Sequence, residues 1–428
     1  MTVTEKSFVL LLFKRILDLG IAIFLIFIPI VIATGGFKGE FFGISLSMSH
    51  VYTPLRILIP LIFIRLLITI NLKNFLLLIV SVFAGLLFAE LALRVWDPPM
   101  ASPKMAQIHR PSNIFNWELV PKSFGVGGFG ESYLINSAGF RDREYELKKP
   151  PGKSRIMVIG DSFTFGPSIN LENTYPKQLE QILKSKGIPC EVINCGVIGY
   201  QMWQHVEVLK RKVLPYQPEM VILGLFLDDI TFSVPPYKNP VGREGYNPFA
   251  PKGTSEIMAH SSLFNYLWNL NYRFEAVYRY RRGYGYLQGI KARNEKFGPK
   301  NPDKTWHKVM YGKLKKQKYE DFKKALKNFI SLSRAKAARV LVVMIPDAAQ
   351  LHDPDKQAIN RFVAQSCREI GVPFVDTTPI LEKEKNPRLL YLFPKDAHNS
   401  PKGYRLIAQT AAEKIMVLGL LTPGKKSL

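Results

Sequence analysis

Residues 155–166 read Arg-Ile-Met-Val-Ile-Gly-Asp-Ser-Phe-Thr-Phe-Gly, and no other stretch constrains the chain so tightly. Residues 156–159 are apolar in an unbroken run, which suits a short buried strand. Gly160 then permits a sharp turn. Ser162 is left at the strand's carboxyl end, where open α/β sheets carry their ligands and their chemistry. A serine hydroxyl is a weak nucleophile. It needs a base within reach, a group to orient that base, and donors for a developing oxyanion.

The segments that follow alternate in the manner of a doubly wound sheet. Strands are expected at 191–194, 220–226, 340–345 and 372–375, and helices at 175–186, 200–213, 319–336, 356–370 and 401–418. The run at 220–226 is almost continuously apolar, as in a parallel strand covered on both faces. Residues 231–317 interrupt this pattern with an insertion rich in aromatics and arginines, including Tyr278, Tyr280 and Arg281. Leaving a strand's carboxyl end, it is placed to cap a site. Aromatic faces there suit sugar rings or a membrane interface, while an ordinary helical subdomain core accounts for them as well.

The 47% hydrophobic content is concentrated at the amino terminus. Apolar stretches at 16–34, 55–70 and 75–93 make residues 1–96 a membrane region of about three transmembrane helices. Arg56 and Arg65 within the second must snorkel, pair or face protein. Lys6, Lys14 and Arg15 flank the first stretch, which favours a cytoplasmic amino terminus. Three spans then put the large domain outside the cytoplasm, and two would reverse it. Whether Asp18, Arg56, Arg65 and Glu90 pair with one another or with a membrane-protein partner stays open. Residues 97–135, rich in Pro, Gly and Ser, read as a stalk that becomes ordered where it meets the domain, followed by an α/β domain at 136–420 and a basic tail at 421–428.

The net charge of +24 sits mostly beyond residue 100, where 50 Lys/Arg face 29 Asp/Glu. A basic domain beside a bilayer suits anionic headgroups or acidic glycans better than nucleic acid, and a merely solvated basic surface fits too. Cys190, Cys195 and Cys367 form neither a disulfide framework nor a metal-binding spacing, so no metal and no cofactor is expected.

Gly160-Asp161-Ser162, Asn194-Cys-Gly-Val-Ile-Gly199-Tyr200 and Lys395-Asp396-Ala397-His398-Asn399 together resemble the SGNH/GDSL hydrolase superfamily over residues 136–418. The resemblance implies a five-stranded parallel, flavodoxin-like α/β fold and a serine esterase or O-acyl transferase. It makes Ser162 the nucleophile, His398 the base and Asp396 the orienting acid, with the N–H groups of Ser162 and Gly199 in the oxyanion hole. Tyr278, Tyr280 and Arg281 are expected to meet the substrate, an ester on an extracytoplasmic glycan or lipid. The segment ending Gly139-Phe140-Arg141-Asp142 resembles one found in membrane-anchored bacterial members, which implies the cytoplasmic membrane, and it is expected to pack on the domain's edge. Two departures stand out. Asp228 occupies the place of an oxyanion-hole asparagine, and a carboxyl group can donate there only while protonated; Asp396 and His398 are two apart where three is commoner. Without a working oxyanion hole, the alternative is an inactive module that binds glycan or partner proteins. Asp376 is a second-ranked acid, Asp161 is expected to be structural, and His205 shows no partner signature.

Overall fold

The computed structural model describes residues 3–34, 37–41, 44–48, 52–69, 71–96, 108–127, 131–231, 257, 260–267, 270, 316–386, 389–392 and 396–421. Its amino-terminal region holds helices α1 (Val3–Thr34), α2 (Tyr52–Thr69) and α3 (Leu72–Trp96), with the antiparallel hairpin β1 (Phe37–Phe41) and β2 (Ile44–Met48) between the first two. Large apolar side chains such as Leu19, Ile59, Phe83 and Phe88 are exposed along these helices. Arg65 donates from Nε and Nη2 to the two carboxylate oxygens of Asp18 at 2.7 and 3.1 Å. This bidentate pair ties α2 to α1, so two of the polar residues left open above satisfy each other. Among the described residues only one helix, Lys73–Trp96, is long and apolar enough to cross a membrane. The three-span expectation is thus reduced to one such segment: α1 carries Lys14, Arg15 and Asp18, and α2 carries Arg56, Pro60 and Arg65 within its 18 residues.

The carboxyl-terminal end of α3 grips the insertion. Glu90 accepts the N–H groups of Ser262 and Leu263 at 3.0 and 2.8 Å and the Ser261 hydroxyl at 3.0 Å. Arg94, paired with Glu90 at 2.7 Å, donates to the His260 carbonyl at 2.6 Å.

The expected stalk is corrected in its second half. From Ile108 the chain folds into two antiparallel hairpins, β3 (His109–Ser112) with β4 (Asn116–Leu119), and β5 (Phe124–Val126) with β6 (Ser132–Leu134). Ile108, Phe115, Trp117, Leu119, Tyr133 and Ile135 are buried in the domain's own core. The Pro/Gly-rich composition reflects tight hairpin turns as much as a linker. Most of the segment 136–142 is likewise buried rather than laid on an edge, with Asn136, Phe140, Arg141 and Asp142 all 3% exposed or less and Ser137 exposed.

The sheet comprises β7 (Ser154–Gly160), β8 (Cys190–Asn194), β9 (Met220–Leu225), β10 (Arg339–Met344) and β11 (Phe374–Asp376), all parallel, in the order β11-β10-β9-β7-β8. Its strands are apolar on both faces because helices cover both. The main helices are α4 (Ser162–Phe165), α5 (Tyr175–Ser185), α6 (Met202–Val208), α7 (Asp228–Thr231), α8 (Lys316–Ala335), α9 (Ala358–Ile370), α10 (Thr378–Leu381) and α11 (Pro401–Val417). The expected helix at 200–213 is broken, since α6 passes into a π-helical turn over Leu209–Val213. Strand order reverses between β7 and β9, whose ends are level at Gly160 and Gly224. A side chain at Gly160 has no room, because a Cβ there falls 2.6 Å from the Gly224 carbonyl. Cys190, Cys195 and Cys367 are free and buried. Leu421, at the start of the expected basic tail, packs in the core.

Two buried basic side chains, His109 and Arg141, mark the hairpin region. Burial holds His109 down to about 4, so it is neutral at pH 7. As pH falls from about 6.5 to about 4 the unfolded chain takes up a proton that the folded one lacks. Stability from this group is therefore full above the unfolded value and lost across that window, by about 3 kcal/mol. Urea unfolding at pH 7 and pH 4.5 is expected to show a smaller acid loss in His109→Gln than in the wild type. Arg141, described below, donates only to carbonyls. Its replacement by Met strands several of them and is expected to cost about 3 kcal/mol, again read by urea unfolding at pH 7.

Candidate active site

The chain before β7 and the turns after β7, β8 and β9 converge on Ser162. Asp161 caps α4, its Oδ1 accepting the Phe163 N–H at 2.9 Å, and Ser162 opens that helix. The second turn carries Gly199 in the left-handed region at φ +74°, where glycine is favoured. It is held from outside the sheet. Trp117 Nε1 donates to the Ile198 carbonyl at 3.2 Å, and the Tyr200 hydroxyl to the Trp117 carbonyl at 2.6 Å. The N–H groups of Ser162 and Gly199 donate to no other described residue.

His398 lies two residues before Ser400, which caps α11 by accepting the Gly403 N–H at 3.2 Å. Its loop is fixed by the Tyr391 hydroxyl on the Pro346 carbonyl at 3.0 Å and by Leu392 N–H on the His398 carbonyl at 2.9 Å. Phe163 lies against the imidazole at 4.6 Å between ring centroids and stacks on Phe226 at 3.9 Å. The structure brings the three expected residues together. His398 Nε2 is 2.8 Å from Ser162 Oγ, and His398 Nδ1 is 2.7 Å from Asp396 Oδ1. Burial raises the Asp396 carboxyl, but His398 and the Ser168 hydroxyl outweigh it and hold the group below the usual carboxylate range. An ionised acid, an imidazole and a hydroxyl in line can pass a proton from serine to histidine.

Ser168 is a functional neighbour that no motif announces. Its hydroxyl donates to Asp396 Oδ2 at 2.6 Å, from a backbone at φ +61° that a non-glycine residue adopts only when held. The holding is done by Tyr133, whose hydroxyl accepts the Ser168 N–H at 3.0 Å, and by Arg141. That guanidinium donates to the carbonyls of Phe165, Gly166 and Ile169 and lies 4.4 Å from the Tyr133 ring centroid. Asp142, the next residue, takes Lys177 Nζ at 3.2 Å and the Asn194 N–H at 2.9 Å, so one short segment braces both turns. Lys177 also meets Glu180 at 2.7 Å; burial opposes ionisation there, yet Lys177 and Lys184 hold Glu180 down to about 2.

Asp228 sits after β9 as expected, beside Asp161 and Asp229, with one oxygen of each within 4.8 Å of the others. His205 is corrected: it is fully buried and its Nε2 is 2.7 Å from Asp229 Oδ1. Asp376 stays away from His398 and accepts from Thr378 Oγ1 at 2.6 Å and Asn360 Nδ2 at 3.2 Å. Tyr278, Tyr280 and Arg281 lie outside the described residues.

The profile of the GDSL-like lipase/acylhydrolase family matches residues 158–406. No curated protein matches the chain. Among solved structures, the lipase/acylhydrolase from Enterococcus faecalis is 12% identical with a TM-score of 0.37, over 63% of this chain and 98% of its own. A catalytic mutant of an acetylxylan esterase from Geobacillus stearothermophilus is 13% identical with a TM-score of 0.34, over 61% of this chain and 94% of its own.

Ser168→Ala removes one charge-assisted hydrogen bond, worth about 1.5 kcal/mol or more. If that bond sets the pose of Asp396 and His398, fluorophosphonate labelling of Ser162 is expected to slow about tenfold. Equal labelling rates in folded variant and wild type would reduce Ser168 to a loop residue.

Proposed function

Because the chain belongs to the GDSL-like lipase/acylhydrolase family, whose profile spans more than half of it, we propose that it is a membrane-anchored serine esterase or O-acyl transferase. Ser162 Oγ attacks the ester carbonyl while His398 Nε2 takes its proton, and Asp396 steadies the imidazolium that forms. The oxyanion is met by the N–H groups of Ser162 and Gly199, with Asp228 in the third position. His398 then returns the proton to the departing alkoxide. Water releases the acyl group in hydrolysis; a sugar hydroxyl takes it in transfer.

The observation that carries this reading is the unbroken relay from Ser162 Oγ through His398 to Asp396, at 2.8 and 2.7 Å. Helix α3 is the anchor, and a single span puts the domain on the side of the membrane opposite the amino terminus, which this reading places in the cytoplasm. The substrate is an ester on an extracytoplasmic glycan or lipid. A basic domain and the aromatics of the insertion, Tyr278 and Tyr280 with Arg281, suit an acylated glycan. Asp228 favours a second reading, a binding module without turnover, because an ionised carboxylate opposes a developing oxyanion.

One experiment separates the two. Full-length protein in detergent is expected to react with a fluorophosphonate, Ser162→Ala to lose all labelling, and His398→Ala to lose about 10³-fold in rate. Folded wild-type protein that takes no label supports the binding module instead.

A further inference from the structure

We propose that Asp161, Asp228 and Asp229 retain a shared proton that keeps Asp228 a neutral hydrogen-bond donor to the oxyanion, with Asp161 as the positioning residue that keeps it so. The proposal rests on the esterase reading and adds to it an alkaline limit on activity set by this cluster.

The geometry leaves the three carboxyls different work. Asp229 is saturated as an anion, with Oδ1 on His205 Nε2 at 2.7 Å and Oδ2 on the Phe226 N–H at 2.8 Å. Asp161 uses Oδ1 on Phe163 N–H, while its buried Oδ2 has no partner among the described residues. Asp228 Oδ1 is buried and has no partner there either. The two orphaned oxygens belong to acids that approach each other within 4.8 Å beside Asp229. Asp161 is fully buried and Asp228 half-buried, and as anions the two would each keep one buried oxygen unsatisfied and repel each other. One proton, held on Asp228, removes one of the two charges: it points to the orphaned Asp161 oxygen in the resting site and turns to the oxyanion when that charge develops.

The surroundings supply no relief. His205 from α6 meets the cluster at Asp229, the phenols of Tyr175 on α5 and Tyr404 on α11 feel the charge of Asp161, and Ser162, next to Asp161 in the chain, carries His398 on its hydroxyl. No Lys or Arg forms an ion pair with any of the three acids among the described residues. Burial, then the charge of Asp229, pushes Asp228 well above the usual carboxylate range. Burial, then the charges of Asp228 and Asp229, does the same to Asp161. Burial likewise keeps Tyr175 and Tyr404 protonated. An asparagine at residue 228 would donate at every pH, whereas an aspartic acid donates only until the cluster loses its proton.

The test is kcat/KM of full-length protein for p-nitrophenyl acetate from pH 6 to 9.5, with Ser162→Ala as blank and fluorophosphonate labelling alongside. Wild type is expected to fall as the cluster deprotonates, tenfold per pH unit at the limit. Asp228→Asn and Asp228→Ser are expected to lose that fall, since amide and hydroxyl donate throughout, and Asp228→Ala to drop about 10²–10³-fold. Asp161→Asn is expected to move the fall to lower pH in the wild-type background and to leave the flat Asp228→Asn profile flat; a merely structural role would act in both. An alkaline fall that persists in Asp228→Asn overturns the proposal while labelling keeps the esterase reading intact. Activity lost to EDTA and restored by calcium or magnesium also overturns it, placing a cation where the proton is proposed. Absence of labelling in wild type fails the underlying reading and this proposal with it.

Discussion

A guanidinium sealed in the interior sets the terms for the site. Arg141 is 0% exposed, and no carboxylate forms an ion pair with it among the described residues. Burial lowers it to about 10, which still leaves it charged at neutral pH. Taking such a charge from water is expensive unless every donor direction is used. The fold meets this at both terminal nitrogens with backbone carbonyls, and lays the aromatic faces of Tyr133 and Phe165 against the guanidinium, while Nε has no partner among the described residues. Those carbonyls belong to the loop that follows α4, so the same contacts that satisfy the arginine fix Ser168, then Asp396, then His398.

Two aspartates near Ser162 show how surroundings assign opposite states to one side chain. Asp396 has a hydroxyl and an imidazole on its oxygens, and these outweigh burial. Asp228 has burial and a neighbouring anion, and both act in one direction. This is the general way in which paired carboxyls divide acid and base roles. Here the division follows from position: one acid rides on the histidine's own loop, the other heads α7 against the sheet.

Much of this was legible in the residues. The five strands showed as apolar runs, and Gly-Asp-Ser, Gly199 and Asp-x-His each sat at the end of an element, so their convergence followed from a parallel sheet. The hairpins at 109–134 were not legible. Strands of three or four residues with Pro and Gly between them give too little periodicity to distinguish from a linker. His205 was missed because its partner Asp229 lies on a different helix, 24 residues away. Ser168 was missed because a long-range hydrogen bond from a strained turn leaves no local pattern. Arg141 was seen as part of a motif, yet a lone arginine reads as surface, and only the closing of carbonyls around it tells otherwise.

The clasp between Glu90 and residues 261–263 changes what can be learned from a truncated protein. A fragment beginning at residue 108 retains both hairpins, the sheet and the Ser162 relay, but it strips the Ser262 and Leu263 amides of their acceptor. Whatever such a fragment does, it does with its insertion unmoored from α3, the one helix among the described residues long and apolar enough to cross a membrane. Kinetics gathered on it describe the chemistry of the relay and say nothing of how an insertion held by α3 governs access to it.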